Sequence, residues 1–505
     1  MNIVIRADAS IHIGSGHIMR CLVLANALRE QGHTVSFASR PQQGDRVEFV
    51  RNKGFEVYEL VIPAYWQSPQ NSADYVAWLQ VPWQKDAESL IHQVDNVDLL
   101  IVDHYGLNAD WELLVKNSLL CKVFAIDDLV RKHQADLILD QTLLRDSLEY
   151  KDINPRSVVL VGCDFALLKP NFISYREKAL EVSVLPLEVK ILISMGGVDQ
   201  PNATLQTLEA LSKIIGNKPS VTVLLSSAAP HYQSVKNFSL EHSSWVNHIG
   251  FVENMAELML AHNVAIGAPG NTSWERACLG LPSIIIPLAD NQQTISAKLV
   301  QVGAAIRVKL DDISSTLLTA YQTMIKEWST MHMVNLSLCD GLGLLRITQC
   351  VNSLCSKTSN LITLRCATKN DIKQVFDWQI LPETRKYSLT SDLPTWEGHQ
   401  KWMSAKLRTL HDYFYIIESL ADNKNIGVLR LDRLTKNKYL LSIFIDPQYF
   451  GQGFAKKALA YADILHPEIT IQATVLEINT ASQRLFNSAH YQKIAVDTFI
   501  RPPIR

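Results

Sequence analysis

The sequence predicts an α/β chain of two doubly wound parallel-sheet units facing a common cleft, followed by a smaller α+β unit. Three observations carry that reading. Short apolar runs alternate with helix-length segments from the start of the chain to about residue 165. The same alternation restarts near residue 189, and from about residue 364 the order changes, with helical segments ahead of clustered strands. A length of 505 residues fits roughly three domains of about 150 residues each. The boundaries read as 1–165, 166–350, a polar, serine-containing linker at 351–362, and 363–505.

In the first unit the strands are expected at Asn2–Ile5, Thr34–Phe37, Leu99–Val102, Val123–Ile126 and Leu137–Leu139. Between the first two, Ile18, Leu22, Ala25 and Leu28 recur at helical spacing, and Gly32 ends the helix. Strand, helix and strand repeated in this way give a parallel sheet covered on both faces. In the second unit Val189–Ile193, Val221–Leu225, Val264–Ile266 and Ser283–Ile286 repeat the pattern. Ligands of such sheets bind beyond the carboxyl ends of the strands. In the third unit, helices are expected at Asp371–Trp378 and His399–Leu410, then strands at Tyr413–Glu418, Asn425–Leu431 and Tyr439–Ile445, a Gly-rich turn, a helix, a strand and a last helix.

Composition removes several function classes. Lys+Arg is 48 against Asp+Glu 50, so no excess of cations is available for a nucleic-acid backbone. No uninterrupted apolar run reaches the roughly 18 residues of a membrane span. The opening MNIVIRAD lacks the basic and apolar regions of a signal peptide and reads as a first strand, so a cytoplasmic protein is expected. The eight cysteines form no C-x-x-C pair, and Cys350 and Cys355 have no histidine at zinc-site spacing. Free thiols and no metal are the expectation.

Candidate chemistry gathers at the strand ends. After the first strand come Asp8 and then Gly14-Ser15-Gly16-His17, where the helix starts. Gly14 and Gly16 let the backbone approach a ligand closely, and a helix N-terminus favours anions. His17, in the first turn, feels the positive end of the macrodipole; a neutral ring there suits a general base acting on water, although a merely polar turn residue fits the position equally. Asp8 either orients that ring or satisfies backbone donors in its own loop. Asp103-His104-Tyr105-Gly106 and Asp127-Asp128 follow two further strands in the same manner.

In the second unit Gly196 and Gly197 offer backbone N–H groups to a diphosphate. Gly270-Asn271-Thr272-Ser273-Trp274-Glu275 lies again between a strand and a helix. Thr272 and Glu275 fit a T-x-x-E capping box, and Glu275 equally fits a carboxylate accepting both hydroxyls of a ribose. Asn291 and Gln292 supply amides at the same sheet edge.

The order GG, then G-x-x-G-N-T-S-x-x-E, then G-L-P-S-I-I-I-P, then D-N-Q-Q resembles the carboxyl-terminal half of GT-B-type UDP-sugar enzymes with two Rossmann-like domains. The earlier R-x-D-x-S-x-x-I-G-S-G-H-I-M-R and V-D-H-Y-G resemble the UDP-2,4-diacetamido-2,4,6-trideoxy-β-L-altropyranose hydrolases of pseudaminic acid biosynthesis, and the likeness covers about the first 350 residues. It implies a UDP-sugar substrate and metal-free cleavage at the anomeric carbon with inversion. His17 is then the catalytic base and Tyr105 an active-site tyrosine; Glu275 binds the ribose, and Gly196, Gly197, Asn271, Thr272 and Ser273 line the diphosphate loops. A glycosyltransferase on the same scaffold is the alternative.

The third unit contains Ile445-Asp446-Pro447-Gln448-Tyr449-Phe450-Gly451-Gln452-Gly453-Phe454-Ala455, which resembles the Q/R-x-x-G-x-G/A signature of GNAT acetyltransferases. Small residues at a helix start expose consecutive N–H groups that can cradle a pyrophosphate. Ala473–Ser482, with Asn479 and Ser482, resembles the later element of that family flanking the coenzyme arm. The resemblance implies acetyl-CoA as co-substrate, held by Ile445, Gln448, Gly451, Gln452, Gly453, Phe454, Ala455, Asn479 and Ser482. The segment with Trp378, Trp396, His399 and Trp402 is similar to the pseudaminic-pathway acetyltransferases, the tryptophans reading as core. Many GNAT enzymes carry a tyrosine where this chain has Phe486, to protonate the leaving thiolate. Phenylalanine cannot; either another donor serves, Tyr491 being close in sequence, or the unit binds acetyl-CoA without transferring its acetyl group.

Overall fold

The computed structural model describes residues 1–505 apart from 72, 356–361, 389–391, 422–423 and 505, and without the side chain of Asn291. Its backbone divides into two compact units, Met1–Leu344 and Leu345–Arg505.

The first unit holds two parallel sheets. In the first sheet the strands are β1 (Asn2–Ala7), β2 (Thr34–Ser39), β3 (Glu56–Glu59), β4 (Leu99–Asp103), β5 (Lys122–Ile126), β6 (Leu137–Asp140) and β7 (Val158–Val161), in the order β3-β2-β1-β4-β5-β6-β7. The central strands are apolar on both faces: Ile3, Ile5, Leu99, Leu100, Ile101, Val123 and Phe124 are all fully buried. Covering helices leave such strands no polar side.

The second sheet comprises β8 (Lys190–Ser194), β9 (Ser220–Leu224), β10 (Val246–Ile249), β11 (Val264–Gly267), β12 (Ser283–Ile285) and β13 (Ala305–Arg307), in the order β10-β9-β8-β11-β12-β13. Strand order reverses between β1 and β4 in one sheet and between β8 and β11 in the other. A crevice opens beyond the strand ends at such a switch point.

One close approach fixes the second switch. A Cβ on Gly267 would lie 2.2 Å from the Ser194 carbonyl oxygen of the adjacent strand. Gly267→Ala is therefore expected to cost about 3 kcal/mol, the upper part of the usual range for overpacking a rigid core. Urea unfolding measures it, and a loss below about 0.5 kcal/mol would show that the strands part without strain.

The second unit opens differently from the expectation. The helix Gly343–Cys355 runs through the start of the expected linker, because Leu344, Ile347 and Val351 form a buried stripe at helical spacing. Residues 351–355 are thus helix, and 356–361 lie outside the described residues. A strand, β14 (Ile362–Cys366), then precedes the helices. Arg346, fully buried, ties the helix to it by donating from Nε to the Leu364 carbonyl at 2.9 Å.

The remaining strands are β15 (Tyr413–Ser419), β16 (Lys424–Thr435), β17 (Lys438–Ile445), β18 (Thr470–Thr474), β19 (Gln492–Lys493) and β20 (Thr498–Arg501), in the order β14-β15-β16-β17-β18-β20-β19. β17 pairs with β16 out to Ile445, opposite Gly427, but with β18 only as far as Leu441, opposite Ala473. Beyond that point the two parallel strands splay apart.

Candidate active sites

The first candidate site lies in the first unit, in a cavity of about 420 Å³ between the two sheet edges. Its walls include Gly16, His17, Arg20, Tyr75, Tyr105 and Asp128 from the first lobe, and Pro269, Gly270, Asn271, Trp274, Asp290 and Gln292 from the second. That volume suits a small ligand.

The loop after β1 is folded by Ser10, whose Oγ accepts from the backbone N–H groups of His12 and Ile13 at 3.2 and 3.1 Å. Gly14 closes the turn at φ 75°, a conformation that other residues adopt only with strain. The helix Gly16–Glu30 starts there and presents His17 in its first turn.

His17 Nδ1 lies 2.6 Å from Oδ1 of Asp103, the last residue of β4, which leaves Nε2 as the nitrogen open to the cavity. Asp103 also takes Nε and Nη2 of Arg20, each at 2.7 Å. Burial works against the charge of Asp103, but Arg20 and His17 outweigh it and hold the carboxyl well below its ordinary range. Nη1 of Arg20 reaches Asp128 at 2.8 Å, and the Tyr105 phenol donates to the same Asp128 oxygen at 2.5 Å. Burial, with Asp128 adding to it, pushes Tyr105 well above the usual phenol value, so it is a neutral hydrogen-bonding group. Tyr105 packs edge-on against the His17 ring at 4.8 Å, and Tyr75 and Trp78 extend the aromatic wall.

Asp8 does not orient His17. It is fully buried on the opposite side of β1, where Arg6 donates to it at 2.6 and 2.9 Å, the Arg40 backbone N–H at 2.8 Å and Ser39 Oγ at 3.2 Å. Side chains alternate along a strand. Asp8 shares a face with Arg6, whereas Asp103 pairs with Ala7 and faces the other way. Asp127 is likewise structural, accepting from Arg131 and Tyr150, while its neighbour Asp128 lines the cavity.

On the second lobe, Asn271 and Gln292 reach the cavity, and the side chain of Asn291 lies outside what is described. Gln292 Oε1 accepts from the Leu288 backbone N–H at 2.8 Å, which leaves its amide N–H groups and a second lone pair of Oε1 for a ligand. Gly197 faces the His17 loop: a Cβ there would stand 3.8 Å from Ser15 Oγ. Gly196 turns at φ 92°. Ser273 is buried and ties its loop together, accepting from the Gly270 N–H and from Arg276 Nη2, both at 3.2 Å.

The T-x-x-E capping box does not form. The helix Thr272–Cys278 starts one residue earlier than the box requires, with Asn271 at its N-cap and Thr272 already helical. Glu275, half-buried and outside the cavity wall, has no hydrogen-bond partner among the described residues. Burial pushes it up to about 7 against the opposing pull of Lys169 and Arg276. Because its folded value exceeds its unfolded one, stability is full below about 4.3 and declines as pH rises towards and through 7. Glu275→Gln is therefore expected to melt higher than the parent at pH 8 and equally at about pH 3.5, below the unfolded value. Equal melting at both values would show the carboxylate to be solvated.

The second candidate site is the gap between β17 and β18 in the second unit, a cavity of about 320 Å³ lined by Leu440–Phe444, Ala473–Leu476, Asn479, Ser482 and Phe486. Strand divergence leaves backbone groups of Ser442–Ile445 without a partner in β18. Gly451 and Gly453, at φ 77° and 80°, form the turn into the helix Phe454–Leu465, with Gly453 as N-cap.

Of the residues expected to hold the coenzyme, Asn479 and Ser482 line the gap, and Asn479 also accepts from the Ser482 N–H at 3.1 Å. Gln448, Gly451, Gln452 and Ala455 belong to the adjoining turn and helix start, where Gln452 Nε2 donates to the Gln448 carbonyl at 3.3 Å. Ile445 and Phe454 turn into the core. Tyr491 packs behind Phe486 and lies 3.4 Å from Asp463, outside the gap, whereas Tyr387 is the one phenol among the described lining residues. Trp378 is buried and donates to Asp446 at 2.9 Å, a core role, as expected.

Sequence reasoning named Asp103 and Asp128 as strand-end residues without their roles, and did not single out Arg20, Tyr75, Trp78, Gln141 or Thr142. Gln141 and Thr142 line the cavity just after β6, so the strand-end rule that found Asp103 also covers them. Among the described residues, no group of three or more His, Cys, Asp or Glu is placed to hold a metal, and no helix is long and apolar enough to cross a membrane.

Comparison with known proteins agrees with this fold. Residues 192–333 match the glycosyltransferase family 28 C-terminal domain, and residues 362–492 the acetyltransferase (GNAT) domain. The chain is 26% identical over 313 residues to the UDP-2,4-diacetamido-2,4,6-trideoxy-β-L-altropyranose hydrolase of Campylobacter jejuni, covering 61% of this chain and all of that one. An uncharacterized protein of Methanocaldococcus jannaschii is 22% identical over 513 residues, spanning 98% of this chain and 97% of its own. Among solved structures, Acinetobacter baumannii MurG has the same fold over 70% of this chain and 99% of its own, with a TM-score of 0.50 at 17% identity. The chain is a fusion of a GT-B unit, built from two Rossmann-like sheets, with a C-terminal GNAT-type acetyltransferase domain.

Proposed function

We propose that the chain carries out two consecutive steps on one UDP-linked amino sugar: N-acetylation from acetyl-CoA in the second unit, then hydrolytic release of UDP in the first. The substrate of the second step is read as UDP-2,4-diacetamido-2,4,6-trideoxy-β-L-altropyranose. The reading draws support from the hydrolase relative, matched over its whole length, and from the GNAT domain on the same chain.

The observation that carries it is the His17–Asp103 pair at the mouth of the cavity. Asp103 holds the proton on Nδ1, so Nε2 keeps a lone pair. Nε2 takes a proton from water as the water oxygen bonds to the anomeric carbon. The bond from that carbon to the diphosphate oxygen breaks on the opposite face, and UDP departs with the bonding pair. Inversion follows, and the products are the free sugar and UDP. Backbone N–H groups of the loops at Gly196–Gly197 and Gly270–Thr272 would meet the diphosphate.

In the other unit the acceptor amine attacks the thioester carbonyl, forming N–C and breaking C–S, and the thiolate takes up a proton. The gap carries Arg385 and Arg430, the latter paired with Asp432 at 2.9 Å.

The test supplies UDP-4-amino-4,6-dideoxy-N-acetyl-β-L-altrosamine with and without acetyl-CoA and follows products by mass. Free diacetamido sugar, UDP and CoA are expected only when acetyl-CoA is present. UDP release that needs an added sugar or lipid acceptor would instead make the first unit a glycosyltransferase, the reading favoured by its family 28 match. Coenzyme binding without acetyl transfer would make the second unit a binding module.

A further inference from the structure

We propose that Arg20 is a positioning residue, a planar clamp that sets the His17 imidazole and the Tyr105 phenol at a fixed angle across the sugar site. The inference rests on the hydrolytic reading of the cavity but concerns a residue that this reading leaves idle.

All three guanidinium nitrogens are committed. Nε and Nη2 grip both oxygens of Asp103 side-on at 2.7 Å each, and Nη1 binds Asp128 at 2.8 Å. Each carboxylate passes the constraint on: Asp103 Oδ1 to His17 Nδ1 at 2.6 Å, and Asp128 Oδ2 to the Tyr105 hydroxyl. Two charged hydrogen bonds fix the Asp103 carboxylate in the guanidinium plane, so it cannot rotate and carry the imidazole with it. Lysine offers a point charge with no such plane. The side chain of Arg20 is 10% exposed and that of Asp103 fully buried, so water cannot readily replace either partner. Arg20 itself spends its donors on protein carboxylates, which places it behind the reacting groups. On the hydrolytic reading the opposite lobe would hold UDP, so the clamp would govern the rate of attack and leave nucleotide affinity alone.

The test compares wild type, Arg20→Lys and Arg20→Ala in steady-state UDP release. Misplacing a base by about an ångström costs on the order of a hundredfold. Both variants are expected to lose about that much in kcat, with KM and the calorimetric Kd for UDP within threefold of wild type. Millimolar guanidinium should restore Arg20→Ala at least tenfold, and methylammonium should not. A kcat for Arg20→Lys within threefold of wild type, a loss confined to KM, or equal rescue by both cations would overturn the clamp.

A second readout needs neither turnover nor nucleotide. The proton between His17 Nδ1 and Asp103 should give a low-field resonance, identified by its loss in His17→Gln, that shifts or broadens in Arg20→Lys; an unchanged resonance would also overturn the proposal. Asp128→Asn, at a more accessible position, tests the other arm should the Arg20 variants fold poorly: kcat should fall about tenfold or more with UDP affinity kept, and an unchanged kcat would remove Asp128 from the clamp. Wild type that releases no UDP from any UDP-sugar would refute the hydrolytic reading alone, since the resonance still reports on the clamp.

Discussion

His17→Gln should lower UDP release by about 10²–10⁴-fold, the usual worth of a positioned general base, while the variant still binds UDP. Glutamine approximates the ring's length and keeps a polar group at the helix start, so the helix Gly16–Glu30 should fold unchanged. What it lacks is a nitrogen able to take a proton from water. Steady-state UDP release, with calorimetric UDP binding as the control, measures both quantities. Near wild-type release would remove His17 from the chemistry and turn the search for a base to Asp128 and Asp290 in the same wall.

Asp103→Asn should be as damaging, by about 10⁴-fold, for a different reason. The carboxylate at 2.6 Å accepts a hydrogen bond from His17 Nδ1, which in the neutral ring puts the lone pair on Nε2. An amide can turn its N–H groups towards Nδ1, which moves the ring proton to Nε2 and points a donor at the attacking water. A catalytic histidine in the wrong tautomer loses activity on that scale elsewhere. The variant should also lose stability at neutral pH. Asp103 titrates below its unfolded value, so its contribution is present above the ordinary carboxylate range and lost as pH falls through that range and below it. The stability gap between Asp103→Asn and wild type should therefore narrow in acid, as thermal unfolding at pH 7 and at about pH 3 would reveal. Unaltered kcat in a folded variant would mean that the tautomer is set by something else.

Long apolar strands with helix-length gaps were legible in the sequence because central strands of parallel sheets are buried on both faces. Edge strands were not. β3 reads Glu-Val-Tyr-Glu and β10 Val-Asn-His-Ile, with only part of each buried, so neither makes an apolar run. The helix Gly343–Cys355 was lost to its polar residues, Asn352 and Ser353, which resemble a linker unless Leu344, Ile347 and Val351 are counted at helical spacing. At the site, His17 and Tyr105 were found because strand ends and a glycine turn mark them. The choice between the two roles open to Asp8 could not be made because the sequence shows that an aspartate follows a strand but not which face it points to. Tyr75 and Trp78 sit on a five-residue helix, too short to leave a period.

The unzipped end of β17 has a consequence for the life of the protein in a cell. A bound pantetheine arm would supply the amide contacts that a missing neighbouring strand withholds, so the coenzyme would act as a removable rib of the sheet as well as a reactant. Its free concentration would then set how often that edge opens to solvent, through the ordinary mass-action link between ligand and native state. On the acetyltransferase reading, depletion of the acyl donor would thus tax the endurance of the carboxyl-terminal domain.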